Sequence, residues 1–593
     1  MAVYKNGVWA DHWTYYLDMI ESYLAIYPDE EERLMFETEL PYFFSPASVQ
    51  PRSKKYVENL SFEGDHDHIQ QLDATVDDDA KLAYMKQFIA EDTGWYSLTA
   101  NWQHDESGSI FKSSAYAKLF LLATLKMATR DPAGMGIEYE GGRPGWDDAN
   151  NGIPSMLGSG MSETFELKAL IQYLIQVAEQ YNRIFEVPVE IFQLYEAINE
   201  ELRSLEEYKQ PRKPSKVISW ELFSFWDNVS AARETYRAQT KVTFSGNTHP
   251  VDPGSLIRSL NRWIDEIDQG IHRALLIGSS AKNVDDDGLV VPTYFAYRVT
   301  KWKRTGEHNK DGHPLVLPLN MTTRHLPLFL EGPTRQLKTV NKSTAKDIYS
   351  KVRGSSLYDE ELKMYTVSAN LADEPIEMGR STAFAPGWLE NQSVWLHMSY
   401  KFYLQLLRHG MYAEFFEEVQ SGGLLPFMDP KQYGRSPMQC SSFIVSSAFE
   451  DPDKRGRGFL GRLSGSTAEF LSMWRVMFIG IKPFYVDRIS GELRMELVPT
   501  LPAWLFQTHD VGSEIAVATQ NSSIPQVSFK LFSSITVRYH NEGMKDLFGL
   551  KPARYQVGLR DGSVYEYNQE FIPMEMADKI RRVVFVDYIE VHF

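Results

Sequence analysis

Between Thr164 and Ser279 the sequence is patterned for helix almost without a break. Thr164, Phe165, Leu167, Leu170, Ile171, Leu174, Ile175, Val177 and Ala178 recur at helical spacing. Residues 164–208 read as two helices broken at Val187-Pro188-Val189, since proline removes a donor and crowds the preceding turn. Residues 220–240 form a third. Residues 255–279 form a fourth, with Leu256, Leu260, Trp263, Ile264, Ile267, Ile271 and Leu275 in register. A chain with this many long apolar stripes must bury them against one another.

The pattern extends both ways. Asp11–Tyr27 is amphipathic and stops at Pro28-Asp29, 77–89 is a charged helix, and 113–130, 390–420 and 467–481 are further helices. Two stretches differ. Residues 289–340 carry extended, Pro-containing runs. From Lys482 onward apolar and polar residues alternate, as in Val527–Phe532, Ile535–Tyr539 and Val583–Val586. The expected fold is mainly α: an (α/α)6 barrel over 1–481 with a strand-rich excursion at 289–340, then a small β-rich domain over 482–593. Such barrels hold one deep pocket ringed by loops.

Composition narrows the partners. The chain has 593 residues and a formal net charge of −18, which repels nucleic acid and anionic membranes. Cys440 is the single cysteine, so neither an intrachain disulfide nor a cysteine-based zinc site is expected. No histidine pair has metal-ligand spacing, so no metal is expected. The first residues lack an apolar signal core and no apolar run is long enough for a bilayer, so the expected compartment is the cytoplasm. Thirteen Trp and 31 Tyr exceed what a core needs and suit a surface that stacks on sugar rings.

One loop concentrates chemistry. Gly142-Arg-Pro-Gly-Trp-Asp-Asp-Ala-Asn-Asn-Gly152 sets Trp146, Asp147 and Asp148 among turn formers immediately before a buried-type helix. A carboxyl group beside an indole in a closed pocket is held protonated and becomes a proton donor.

Three segments, in order, resemble the cellobiose phosphorylase family of inverting glycoside phosphorylases. They are Trp146-Asp147-Asp148, Gly387-Trp-Leu-Glu-Asn-Gln-Ser-Val-Trp395, and Gly456-Arg-Gly-Phe-Leu-Gly-Arg-Leu-Ser-Gly-Ser-Thr-Ala468. The resemblance implies that Asp148 is the general acid and that Trp146, Asp147, Trp388 and, from the early Trp9–Trp13 segment, Asp11 contact sugar. It places Asn391, Ser447, Ser464 and Gly465 around inorganic phosphate as co-substrate, with no other cofactor. Asn391 stands where the family has a phosphate-binding histidine, and Ser447 where it has a glutamine. Glu390 beside Asn391 repels phosphate but can serve as a hydrolase's base.

The leading expectation is therefore phosphorolysis of β-linked gluco-oligosaccharides to a sugar 1-phosphate. The alternatives are an inverting hydrolase or transglycosylase with Glu390 as base, and a non-catalytic carbohydrate-binding subunit. The helical pattern starts close to Met1, where the family has a β-sandwich. A homodimer, or a partner chain supplying that β domain, is the expected assembly.

Overall fold

The computed structural model describes residues 12–59, 69–72, 74–89, 94, 98–140, 143, 145–207, 216–279, 289–423, 428–436, 441–461, 464–506 and 525–593. They fall into two compact units. The first is Met1–Tyr15, Glu32–Ser399 and Phe443–Phe459. The second is Tyr16–Glu31, Tyr400–Ser442 and Leu460–Phe593. Residues 482–593 lie in the second unit, which also draws on earlier segments.

The expectation of a mainly α, (α/α)6-barrel chain is corrected. About 44% of the described residues are helical and 23% are in strands, so the protein is mixed α/β. The long helices were legible because each shows its period, whereas Glu331–Leu337, Lys342–Arg353 and Met574–Arg581 were not anticipated. Most strands are pieces of two to four residues, such as Ile137–Glu138, Ser159–Gly160 and Ile69–Gln71, too short to show a period of two.

In the first unit, helices Ala115–Met127, Met161–Tyr181, Val189–Glu207, Trp220–Gln239 and Pro253–Ser279 carry the long apolar stripes. Ser114 caps the first by accepting from the Ala117 N–H at 3.2 Å, and Asn182 closes the second in the left-handed region at φ 48°. Residues 289–340 hold one long antiparallel hairpin, Tyr294–His308 against Pro314–His325, and then a helix, Glu331–Leu337. The hairpin is the centre of a six-stranded sheet, flanked by Tyr56–Glu58 and Ile69–Gln71 on one side and by Ser159–Gly160 and Ile137–Glu138 on the other. Its inner end buries Tyr294 and Ala296 with Tyr139, Ile153, Leu326 and Met378. This core is the seat of the acidic loop.

In the second unit, a five-stranded sheet runs in the order Gln526–Leu531, Ile535–His540, Val586–His592, Arg554–Leu559, Val564–Tyr567. Only the Ile535–His540 and Val586–His592 pairing is parallel, and the connection between the two runs through strands Arg554–Leu559 and Val564–Tyr567 and helix Met574–Arg581. Arg581 grips Asp29 through both terminal nitrogens, at 2.5 and 2.9 Å. Among the described residues no helix is long and apolar enough to cross a membrane.

Candidate active site

Two loops of the first unit meet at the site. In the first, Asp147 caps a short 3-10 turn, Asp148–Asn150. Its Oδ1 accepts from the Ala149 N–H at 3.1 Å, and its Oδ2 from Asn150 Nδ2 at 3.0 Å. Asp147 is therefore buried and structural, while Asp148 at the start of the turn is half-exposed. The turn is clamped to the segment Ile376–Ala383. The Gly152 N–H donates to Met378 O at 3.0 Å, and Ser381 Oγ donates to Asn150 Oδ1 at 2.6 Å. A Cβ on Gly152 would stand 1.8 Å from the Glu377 carbonyl oxygen, so only glycine permits this approach. The same segment brings Arg380 to 3.1 Å from Asp148 Oδ2.

The second loop, Gly387–Gln392, projects Glu390 from a strained turn. Leu389 and Gln392 both occupy the left-handed region, at φ 48° and 56°. For a branched side chain that conformation costs about 1–2 kcal/mol. The surroundings hold it: the Leu389 carbonyl accepts from Trp395 Nε1 at 2.8 Å and from Ser393 Oγ. Ser368 Oγ donates to the Glu390 carbonyl at 3.3 Å and accepts the Gln392 N–H at 3.1 Å.

The result is that Asp147, Asp148 and Glu390 present carboxylate oxygens all within 4.8 Å of one another. Burial, with the charges of Glu390 and Asp148, pushes the Asp147 carboxyl well above its ordinary value. Burial first, then Asp148, raises Glu390, and Arg380 partly offsets this. Among the described residues, one Glu390 oxygen, Oε2, is buried without a hydrogen-bond partner. A hard divalent cation, with oxygen ligands at about 2.0–2.6 Å, fits between three such oxygens. Against that, both Asp147 oxygens already accept hydrogen bonds and Arg380 already supplies a positive charge to Asp148.

The remaining expected residues are placed as follows. Trp146 and Trp388 both pack on the buried group Val367, Trp395, Phe443 and Val445, so each is at least partly core. The Trp146 indole donates to His397 Nδ1 at 2.6 Å, and Trp388 touches Phe443, Phe449 and Phe459. Asn391 is fully buried. Its Oδ1 accepts from the Leu371 N–H at 3.0 Å and its Nδ2 donates to Phe384 O at 2.8 Å, so the amide clasps backbone where phosphate contact was expected. The Ser447 N–H donates to Asp359 Oδ2 at 2.7 Å. Ser464 and Gly465 open the helix Ser464–Ile479 of the second unit. Asp11 lies outside the described residues.

Sequence reasoning missed Arg380, and it missed an acidic, phenolic layer beside the loop. Tyr139 donates to Glu163 at 2.8 Å, and Tyr294 to Glu331 at 3.2 Å. Both glutamates and both tyrosines are buried. A signal existed: Glu163 is an acid in the first turn of a helix, directly after Gly158-Ser159-Gly160. Nothing comparable marked Arg380.

No protein-family model matches the chain, no curated protein matches it, and neither search identifies a phosphorylase family.

Proposed function

We propose that this protein cleaves glycosidic bonds with Asp148 and Glu390 as its carboxyl pair and with water, or a second sugar, as acceptor. The observation that carries this is the convergence of the two side chains from loops remote in sequence. Glycoside cleavage needs a proton on the departing oxygen and a second carboxylate at the anomeric carbon. Glu390, raised by burial and by its acidic neighbour, is the better proton donor, and Asp148 beside Arg380 is the better carboxylate. The roles are thus the reverse of those expected from the Trp-Asp-Asp loop alone.

Separation decides the stereochemistry. Retaining enzymes hold the pair about 5–5.5 Å apart and inverting ones about 6.5–9.5 Å, the larger gap admitting a water. Oxygens within 4.8 Å favour retention. Glu390 then protonates the leaving oxygen as Asp148 bonds to the anomeric carbon. Water next attacks that carbon, releasing Asp148, while Glu390 takes the water's proton. Phosphate is the poorer acceptor here because Asn391, expected to bind it, is committed to backbone. A single cysteine, Cys440, suits a reducing, cytoplasmic setting, which we propose with it.

The test uses cellobiose, laminari- and sophoro-oligosaccharides with and without phosphate, followed by proton NMR of the first product. The expected result is phosphate-independent cleavage with the β-anomer appearing first. Sugar 1-phosphate as the product would restore phosphorolysis. An α-anomer first would overturn the retaining assignment. No turnover on any of these glycans would favour a binding subunit.

A further inference from the structure

We propose that Lys126, carried on the ring of Trp13 and facing Glu163, forms the floor of a subsite for a neutral sugar beneath the Gly145–Asp148 loop. The proposal rests on the glycoside-cleaving reading above and names the chemistry that its substrate must present.

Lys126 sits in the last turn of helix Ala115–Met127, where neighbours such as Ala123, Thr124 and Met127 are buried. Its ammonium stands 5.1 Å from the Trp13 ring centroid, a cation–π distance. Among the described residues it makes no hydrogen bond or ion pair, and its electrostatic partners are Glu163 and Glu140. Dense surrounding protein lowers its pKa to about 8, with the two glutamates opposing and Arg237 and Arg233 adding to the fall. Yet the residue is only partly buried. A group that is crowded on its sides and still reached by solvent lies in a concavity. Trp13, 8% exposed, adds a buried indole N–H that has no hydrogen-bond partner among the described residues.

The glycines tie this floor to the acid loop. A Cβ on Gly145 would be 2.8 Å from the Tyr139 hydroxyl and 3.3 Å from Glu163 Oε1. A Cβ on Gly160 would be 2.1 Å from that hydroxyl. Bare backbone at both positions lets the Tyr139–Glu163 pair lie directly against the residue that precedes Trp146-Asp147-Asp148.

The donor set defines the ligand. Lys126 offers N–H donors, Glu163 offers an acceptor, and a sugar hydroxyl uses both at once. A uronate or phosphosugar would gain Lys126 but meet Glu163, Glu140 and Asp148. The subsite therefore selects uncharged glycosyl units.

Calorimetric titration with methyl β-glucoside and methyl β-glucuronide, in the full chain, tests this. Wild type and Asp148→Asn should bind the glucoside and discriminate against the glucuronide by at least tenfold. Lys126→Met should weaken the glucoside by roughly 10- to 100-fold, the size of a lost charged hydrogen bond. If that variant does not fold, Lys126→Gln serves, with thermal melting as the check on folding. Unchanged affinity in the Lys126 variants, equal affinity for both sugars, or no binding by wild type would each overturn the subsite. Turnover of glycans combined with unchanged Lys126→Met binding would sink the subsite and leave the glycosidase reading intact. Binding lost in Lys126→Met without turnover in wild type would do the opposite.

Discussion

The two loops that supply the carboxyl pair solve the same problem in opposite ways. The Asp147–Gly152 loop is relaxed. Asp147 caps a short turn, glycine allows close backbone contact, and Asp148 emerges half-exposed beside Arg380. The Gly387–Gln392 loop is strained. Two non-glycine residues in left-handed conformations aim Glu390 inward, held there by hydrogen bonds to the Leu389 and Glu390 carbonyls. Asp148 has Arg380 at 3.1 Å, while among the described residues Glu390 Oε2 has no hydrogen-bond partner. The difference underlies the division of roles proposed above: Asp148 stands beside a cation, while burial raises the Glu390 carboxyl.

The sharpest way to break this division is to remove each group in turn. Asp148→Asn should cut kcat by about 10²–10⁴ on every substrate, whatever the leaving group. Glu390→Gln should cut it as much on oligosaccharides but far less on an aryl glycoside, whose leaving group needs little help from an acid. Steady-state kinetics on both substrate classes decides. Equal losses for Glu390→Gln on both would end its assignment as acid, and a leaving-group dependence confined to Asp148→Asn would swap the roles.

A smaller effect tests the clamp on the relaxed loop. Gly152→Ala drives a methyl group into the Glu377 backbone carbonyl, which has no side-chain freedom with which to yield. The expected loss is about 1–3 kcal/mol of stability, read by denaturant unfolding, together with a fall in activity as Asp148 shifts. Wild-type stability in that variant would mean the loop is not clamped as described.

The third test uses pH. The Asp147 carboxyl is raised in the folded protein by burial and by its acidic neighbours. A raised pKa means that the folded state holds the proton more tightly. Its contribution to stability is therefore full below the unfolded value near 3.8 and is lost as pH rises through the folded value. Asp147→Asn mimics the protonated form. Melting temperature should fall less between pH 5 and pH 8 in this variant than in wild type, with kcat kept within about tenfold, as befits a residue that positions a loop. A steeper fall in the variant would contradict the assignment.

The smallest effect concerns strain. Gln392→Gly removes the left-handed penalty of about 1–2 kcal/mol and adds the chain-entropy cost of glycine, about 0.5–1 kcal/mol. A melting temperature equal to or slightly above wild type is expected. A marked drop would show that the Gln392 side chain, not the turn conformation, is what matters there.

Much of this protein was legible before any coordinates. The long helices between 161 and 279, the break at Val187-Pro188, the extended character of 294–325 and several strands after 525 follow from apolar period and turn chemistry. Both carboxylates that converge, Asp148 and Glu390, stood out as acids in aromatic, glycine-containing loops. The two- to four-residue strands left no period to read, and that is why a mixed α/β protein looked mainly α. The amide of Asn391 could not be known to clasp backbone, because Asn serves loops and ligands with the same atoms.

What the sequence determined by itself was local: where the backbone coils, where it extends, and which loops carry acids among glycines and indoles. These depend on neighbours within a few residues. What only the tertiary structure decided was how close the acids stand and which of them burial raises. Separation and pKa depend on groups remote in the chain, such as Arg380 beside Asp148 and Tyr139 beneath Gly145. Electrostatic energy follows distance and burial, and neither is written in the order of residues.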